Sequence, residues 1–365
     1  MVTRRKLLIA VGAFAAAAAL GGFLLTRSNV PQLSVYNYSY FIDKDLIKEF
    51  EKEYGIRVIY NEFEDGAEAY AALLRGGAGY DVVVVPDLYL KEVIAGGYVK
   101  KINHEKLSNI KNIDPAFFNN PNDPGLQYSI PYAYGTTGIA VNYYAAGADL
   151  PEIDSWSQLF DFDLLRRVGR KVAMLEEFSE PVMAAKYALG IDPDDWSVEA
   201  VNKVIDLLKR QKEFIKGYLG ASTIVPALAA GELWISQIWS GDAISSRELF
   251  IDTFGAQHVD KFVYTFPKPS THMWVDFMVI PKDARNIEAA YLFIDYLLRP
   301  ENSARIVKAA YYPTALRREI IEKYLDPEIL NDPAIFPPPD VNLRYLNYTK
   351  DMLDAVVKIR SAVLG

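Results

Sequence analysis

Short apolar runs and amphipathic segments alternate through the first part of the chain. Residues 33–37 and 56–60 are predicted strands, and residues 82–86 form an apolar, Val-rich run of the kind buried inside a parallel sheet. Between these strands, apolar residues at helical spacing predict helices over about 43–54 and 67–74. Strands that alternate with helices in this way predict an α/β lobe whose ligands lie beyond the carboxyl ends of the strands.

A second unit of the same kind follows a long extended segment. Residues 129–142 are interrupted by Gly135 and Gly138, and the chain could cross here from one lobe to another. The strands predicted beyond this segment are residues 171–175, 233–238 and 274–280, and the last of them would return the chain to the first lobe. The helices predicted there lie near residues 181–189, 198–216, 287–298, 304–310 and 349–362.

A single acid interrupts the apolar strand that runs to Ile280. Strand side chains alternate between two faces, so Trp274 and Asp276 share a face. A carboxylate is costly to bury unless a cation or a set of donors meets it, and the face of an indole attracts cations. The two residues therefore suggest a pocket for an organic cation. The alternative is an Asp276 at the exposed mouth of the strand, held by backbone donors.

Composition excludes several classes of chemistry. The chain has no cysteine, which excludes disulfides, thiolate nucleophiles and Cys-based zinc sites. Its three histidines, His104, His258 and His272, are far apart, which argues against an imidazole metal site or a Ser/His/Asp triad. The net charge is −8, and because the first 32 residues hold four cations and no acid, the remainder carries −12. This balance argues against nucleic-acid binding.

The N-terminus has the pattern of an export signal. Three cations at residues 4–6 precede an uncharged, Ala-rich run over residues 7–25, and a polar stretch follows. The adjacent arginines fit a twin-arginine signal, but they also occur in general secretory signals. The apolar run is barely long enough to span a bilayer, so residues 1–32 are a signal peptide or a membrane anchor plus linker. Either alternative exports the rest of the chain to the periplasm or to the outer face of the cytoplasmic membrane.

Acids and aromatic residues recur together at the carboxyl ends of the predicted strands. They are Tyr38, Ser39 and Tyr40 after the first strand, Asp87 and Tyr89 after the Val-rich run, Glu177 and Glu180 after residue 175, Trp239 and Asp242 after residue 238, and Trp274 and Asp276 at the lobe crossing. Asp87 and Glu180 also suit helix N-termini, and Trp239 also suits a core. These simpler interpretations do not explain the repeated pairing of acid with aromatic. A flexible oligoamine needs such a set, with carboxylates for its ammonium groups and rings against its alkyl chain.

Seven short motifs occur in order from about residue 33 to the C-terminal region. They are YNYSY at 36–40, YDVVVVP at 80–86, SIPY at 129–132, IWSGD at 238–242, WVD at 274–276, LLRP at 297–300 and YPT at 312–314. As a set, these motifs resemble the spermidine/putrescine-binding proteins of ABC importers, which are periplasmic binding proteins.

The resemblance implies an α/β, two-lobed, periplasmic-binding-protein-like (type II) fold. Each lobe is expected to be a sheet flanked by helices, with the ligand in the cleft between the lobes. The N-terminal lobe would comprise residues 33–136 with about 275–320, and the C-terminal lobe residues 137–274 with about 321–365. The resemblance further implies a monomer that binds a polyamine, delivers it to ABC permease subunits, needs no cofactor and catalyses no reaction.

The resemblance also assigns contacts in the cleft, residue by residue. Tyr38 takes the place of a wall aromatic, and Ser39 that of a hydroxyl. The other aromatic walls fall on Tyr89, Trp239, Trp274 and Tyr312, the amine-binding acids on Glu177, Glu180 and Asp276, and an acid of putrescine-type members on Asp242.

Two positions depart from the family pattern. Tyr40 stands where an acid usually follows the hydroxyl of the first loop, and Asp87 stands where a serine is usual. We expect Asp87 to supply, from a neighbouring loop, the charge that is missing at Tyr40, and thereby to change which amine spacing fits.

Three alternatives remain open at this point. A ferric-ion binder of the same fold would use paired tyrosines such as Tyr311 and Tyr312 or residues 143–144. Another organic cation could replace the polyamine in the same cleft. An exported hydrolase could use Glu180 and Asp276 as acid and base, although no nucleophile motif accompanies them.

Overall fold

The computed structural model describes residues 30–147 and 150–365 of the chain. The predicted signal peptide or membrane anchor lies outside the described residues, apart from the end of its linker. Among the helices that are described, none combines the length and the apolarity needed to cross a bilayer.

The described strands form one mixed sheet. They are β1 (Gln32–Tyr38), β2 (Arg57–Phe63), β3 (Val82–Pro86), β4 (Ile130–Asn142), β5 (Val172–Leu175), β6 (Gly217–Leu219), β7 (Ile235–Trp239), β8 (Phe262–Thr265), β9 (Thr271–Val279) and β10 (Leu343–Tyr345). Their order is β2-β1-β3-β9-β4-β7-β5-β6, with β8 paired to β4 and β10 paired to β9. The short strands β6, β8 and β10 are absent from the sequence prediction, because three or four residues leave little periodic signal.

The described α-helices surround this sheet. They are α1 (Lys44–Tyr54), α2 (Gly66–Leu74), α3 (Asp87–Ala95), α4 (Tyr143–Ala146), α5 (Phe162–Val168), α6 (Ser179–Leu189), α7 (Val198–Lys212), α8 (Ala221–Ala229), α9 (Ser240–Phe254), α10 (Ile287–Leu297), α11 (Pro300–Ala310), α12 (Arg318–Ile321), α13 (Pro327–Leu330) and α14 (Lys350–Leu364). In α1, Leu46 and Phe50 lie one turn apart and are fully buried, Asp43 caps the N-terminus, and Gly55 ends the helix with φ +66. Local sequence signals thus account for the bounds of this helix.

Two long strands, β4 and β9, pair with each other in the middle of the sheet. Residues 130–136 of β4 pair with β9, whereas residues 137–141 pair with β7. In turn, residues 276–279 of β9 pair with β3 in antiparallel register, and residues 271–273 pair with β10. The first part of the sheet is therefore mixed, although the Val-rich run alone predicts a parallel one.

Buried apolar side chains form three clusters. The largest draws mainly on residues 33–133 and 275–335, and the other two draw mainly on residues 139–262 and 346–363. Ile321, Leu325, Ala334 and Ile335 also belong to the largest cluster. The backbone N–H of Arg317, just before these residues, donates to the carbonyl of Asn112.

Candidate functional site

Asp276 lies buried in β9 without a cationic partner. Its side chain is on the same face of the strand as Trp274, as period two predicts. The residue is 4% exposed, and burial alone, with no hydrogen-bond donor and no opposite charge among the described residues, perturbs its carboxylate. Burial raises the pKa of Asp276 to about 8. A buried carboxyl with no donor is unfavourable in an empty protein, so its position indicates a ligand that supplies positive charge.

A second buried acid, Asp87, lies next to Asp276. The pairing of β3 with β9 places Pro86 opposite Asp276, and Asp87 begins α3 directly afterwards. Its Oδ2 accepts a hydrogen bond from the backbone N–H of Val275 at 3.0 Å. Burial raises the pKa of Asp87 well above its usual value, the Val275 N–H opposes this shift, and the neighbouring Asp276 adds to it. When both groups are ionised, the two carboxylates place two negative charges close together.

The carboxylate of Glu180 already has partners within the protein. The Trp239 indole N–H donates to Oε1 at 3.1 Å, and His272 Nε2 lies 2.9 Å from Oε2. Burial acts to raise the pKa of Glu180, but the His272 ring and these hydrogen bonds outweigh it and hold the pKa below its usual value. His272 is not among the site residues that the sequence predicts, because its spacing from the other two histidines fits no metal site. Period two along β9 places His272 on the face of Trp274 and Asp276, and this signal could have found it.

Five aromatic rings form a continuous row beside these acids. The Trp239 and Trp274 rings meet edge to face at 6.5 Å, and Trp274 meets Tyr312 at 5.1 Å. Phe41 continues the row at 5.4 Å from Tyr312, and Tyr38 lies 5.5 Å from Phe41. Four of the five predicted wall residues therefore come together, joined by Phe41, which was not predicted. The indole N–H of Trp274 is buried and has no partner among the described residues.

Two glycines let the backbone approach this row. A Cβ at Gly135 would overlap the Trp274 ring, and a Cβ at Gly241 would lie 2.5 Å from the Tyr312 ring. Both distances are shorter than real Cβ contacts, so each ring rests directly on a glycine backbone. This packing explains the glycines in the crossing strand and after Trp239.

Two further predicted acids, Asp242 and Glu177, are buried near other acids. Burial raises the pKa of Asp242 to about 7, with a contribution from Glu64, and the Tyr312 hydroxyl opposes the shift. The same hydroxyl accepts a hydrogen bond from the Asp242 backbone N–H at 3.2 Å. Burial, Asp65 and Glu180 raise the pKa of Glu177 to about 7, while the Ser179 hydroxyl donates to it at 3.3 Å.

The loop between β2 and α2 contributes acids that were not predicted. The negative charge of Glu64 raises the pKa of Asp242, and that of Asp65 raises the pKa of Glu177. Both residues follow the carboxyl end of a strand, which is the same signal that identified the other sites.

Three predicted residues, Tyr40, Tyr89 and Ser39, do not belong to the aromatic row. Tyr40 is 83% exposed with φ +59, so the structure does not bring its ring into the aromatic row. Tyr40 lies in the turn after β1 with a left-handed backbone. Tyr89 is half-buried and stacks on Tyr70 at 4.6 Å. Ser39 is half-buried at the end of β1, where its backbone N–H donates to Phe63.

In each pair of tyrosines proposed for ferric ion, the two residues lie in different surroundings. Tyr312 lies in the aromatic row, whereas Tyr311 ends α11 with φ +58. The Tyr143 hydroxyl accepts a hydrogen bond from Ile153, whereas Tyr144 packs on Phe250. Within residues 30–147 and 150–365, no three acids or histidines are grouped as metal ligands.

Similarity to known proteins extends over most of the chain. The family model for bacterial extracellular solute-binding proteins matches residues 45–357. A putrescine-binding periplasmic protein of Pseudomonas aeruginosa is 30% identical over 315 residues, which cover 85% of this chain and 84% of that protein. The spermidine/putrescine-binding periplasmic protein of Escherichia coli is 30% identical over 325 residues, which cover 88% of each chain.

Solved structures share the fold. A Listeria monocytogenes protein assigned provisionally to spermidine/putrescine ABC transport superposes with a TM-score of 0.80 at 28% identity, covering 91% of this chain and 98% of that one. The TpPotD lipoprotein of Treponema pallidum superposes with a TM-score of 0.77 at 22% identity, covering 91% and 99% of the two chains. The second similarity is one of fold alone.

Proposed function

Because the chain belongs to the bacterial extracellular solute-binding protein family, we propose that it is the polyamine-binding component of an ABC importer. Proteins of this family work outside the cytoplasm and bind solutes rather than transform them. The polyamine-binding relatives cover most of the chain, and the acids and rings described above supply the matching chemistry. The hydrolase interpretation finds no support in this family.

The observation that carries the proposal is the buried, partnerless carboxyl of Asp276 beside an aromatic row. An ammonium group placed there would give Asp276 the charged donor that it lacks, and the ring of Trp274 would face the same cation. The remaining rings offer apolar contact for the methylene chain. Glu177 and Asp242 are further acids for a second or third ammonium group.

We also propose how the lobes move. The N-terminal lobe would comprise residues 33–136 and 275 to about 336, and the C-terminal lobe residues 137–274 and about 346–365. The crossings in β4 and β9 and the segment before β10 would then act as hinges. A bound cation would favour the closed arrangement that the permease recognises, by shifting a population already able to close. Export by the N-terminal segment, with or without retention as an anchor, belongs to the same proposal.

A ligand panel tests the proposed function. Putrescine, spermidine and spermine are expected to raise the melting temperature at about pH 8, because a ligand at 100 times its Kd stabilises the folded state by about 2.7 kcal/mol. Butylamine and 1,4-butanediol, which lack one or both charges, are matched controls and should have much smaller effects. A melting temperature unchanged by every polyamine would refute the proposal, and a coloured protein stabilised by ferric ion would favour the metal-binding alternative.

Asp87 is proposed to supply the charge that is missing at Tyr40. Replacing Asp87 with asparagine keeps an acceptor for the Val275 N–H but removes one negative charge beside Asp276. We expect calorimetry to show polyamine affinity lowered about tenfold, in line with a charge-assisted hydrogen bond. The exposed Asp252→Asn provides the same chemical change away from the site. Unchanged affinity of Asp87→Asn for every polyamine would reject this role.

A further inference from the structure

An ion pair outside the proposed ligand site connects the two proposed lobes. Arg247 lies on α9, whose Ala243 and Phe250 belong to a cluster of the C-terminal lobe, and its guanidinium donates to Oδ2 of Asp332 at 2.5 Å. Asp332 follows α13 and lies two residues before Ala334, which belongs to the cluster of the N-terminal lobe. In the described part of the chain, no other ion pair joins the two proposed lobes.

The backbone around Asp332 holds its carboxylate in position. Oδ1 accepts a hydrogen bond from the backbone N–H of Ala334 at 2.9 Å, and the carbonyl of Asp332 accepts from the N–H groups of Ile335 and Phe336 at 3.1 and 2.9 Å. The side chains of Asp332 and Arg247 are 9% and 26% exposed. Because the pair is largely removed from solvent, salt screens its attraction less than that of a surface pair.

The helix that carries Arg247 also contacts the aromatic row. Near the start of α9, the backbone N–H of Asp242 donates to the Tyr312 hydroxyl at 3.2 Å. Ile244, which lies between Asp242 and Arg247 on this helix, is buried in the cluster of the N-terminal lobe. A movement that separates α9 from the N-terminal lobe would therefore break the ion pair and open the ligand site together.

We propose that Arg247 and Asp332 form a latch that favours the closed arrangement of the lobes and thereby raises the affinity for every ligand of the cleft. This inference rests on the proposed function and on the lobes proposed with it. A ligand that binds only the closed state has an apparent Kd equal to its intrinsic Kd divided by the closed fraction. As long as that fraction is small, loss of an interaction made only in the closed state weakens all such ligands by one common factor. A residue that contacts the ligand distinguishes among ligands instead.

Arg247→Gln tests the latch, because glutamine removes the charge but keeps a polar side chain. Calorimetry at about pH 8 should show the affinities for putrescine and spermidine lowered by the same factor. We expect a factor of about five to ten, between the effects of an exposed and a fully buried ion pair.

Asp332→Asn provides an independent variant from the other side of the pair. Asparagine keeps an acceptor for the Ala334 N–H, so the turn is retained and the affinities should fall as in Arg247→Gln. In the double variant the loss should be no greater than in either single variant, because the two side chains act through one interaction.

Arg305→Gln is the matched control. Arg305 Nε donates to Oδ2 of Asp43 at 2.8 Å, and the two side chains are 32% and 28% exposed. Both residues belong to the proposed N-terminal lobe, so this variant loses a comparable ion pair without changing a contact between the lobes. Its polyamine affinities should equal those of the wild type.

A second readout follows the lobes without a ligand. Because the chain has no cysteine, Lys52→Cys on α1 and Lys209→Cys on α7 provide two exposed sites for spin labels, one on each proposed lobe. In the ligand-free protein, Arg247→Gln should shift the distance distribution between the labels toward the open arrangement. Arg305→Gln should leave it as in the wild type.

The outcomes separate the latch from the proposed function. If the wild type binds no polyamine, the proposed function fails, and the ligand-free distances still test the latch. If the wild type binds, but Arg247→Gln leaves the affinities unchanged or lowers the two affinities by unequal factors, the latch is overturned and the proposed function stands. Losses that add in the double variant, or an unchanged ligand-free distance distribution in Arg247→Gln, would overturn the latch as well.

Discussion

Replacing Asp276 with asparagine is expected to weaken putrescine and spermidine binding about 100-fold or more. Loss of one partner from a buried, hydrogen-bonded charge pair costs about 2–5 kcal/mol, because the other charge stays buried without compensation. Asparagine has nearly the same shape, so the rings of Trp274 and Tyr312 keep their contacts. Isothermal titration calorimetry at about pH 8 measures the loss directly.

The same substitution is expected to stabilise the ligand-free protein, and increasingly so at higher pH. Burial raises the pKa of Asp276 to about 8, so between the usual Asp value and about 8 the folded state binds more protons than the unfolded state. The stability contributed by this group is therefore present at acid pH and lost as the pH rises through about 8. Asparagine does not titrate, so the Asp276→Asn variant should melt above the wild type at about pH 8 and close to it at about pH 4.

The exposed Asp206→Asn is the matched control, because it makes the same chemical change on the outer face of α7. It should alter neither the polyamine affinity nor the difference in melting temperature. If Asp276→Asn binds putrescine and spermidine as tightly as the wild type, Asp276 does not contact an ammonium group, and the central observation behind the proposed function fails.

Replacing Asp81 with alanine is expected to lower the free energy of unfolding by about 4 kcal/mol. Asp81 is 1% exposed, and its carboxylate accepts hydrogen bonds from the backbone N–H groups of Ser34, Arg285 and Asn286 at 2.9–3.0 Å. The Asn286 side chain donates a fourth at 3.0 Å. Alanine leaves these donors unpaired, and each hydrogen bond to a charged group contributes about 1.5–3 kcal/mol, although the contributions are not fully additive.

Urea denaturation of the ligand-free protein measures this effect, and Asp283→Ala is the control. Asp283 is exposed and lies in the same loop, two residues before Arg285. Its removal should change the free energy of unfolding by less than about 0.5 kcal/mol. A midpoint for Asp81→Ala equal to that of Asp283→Ala would show that the four hydrogen bonds do not hold β1 to the start of α10.

Several features of the site follow from local sequence signals. Period two places Trp274 and Asp276 on one face of β9, and the pattern of an acid beside an aromatic ring marks the carboxyl ends of the strands. The pairing of distant strands cannot be predicted from such local signals. The register that sets Pro86 opposite Asp276 joins residues about 190 positions apart, and no local pattern encodes it.

The pairing of distant parts of the chain determines which side chains lie next to each acid. Glu180 and Asp276 both match amine-binding acids in the sequence, but in the structure Glu180 meets His272 and Trp239, whereas Asp276 has no partner among the described residues. Tyr40 is a further example, because the family pattern assigns it to the cleft whereas its side chain is 83% exposed.

By itself, the sequence determined the α/β alternation and the strand faces, because each depends on spacing within a few neighbouring positions. Only the tertiary structure decided which carboxyls have partners within the protein and which have none among the described residues. The physical reason is that burial and charge at one residue depend on side chains brought near it by distant parts of the chain.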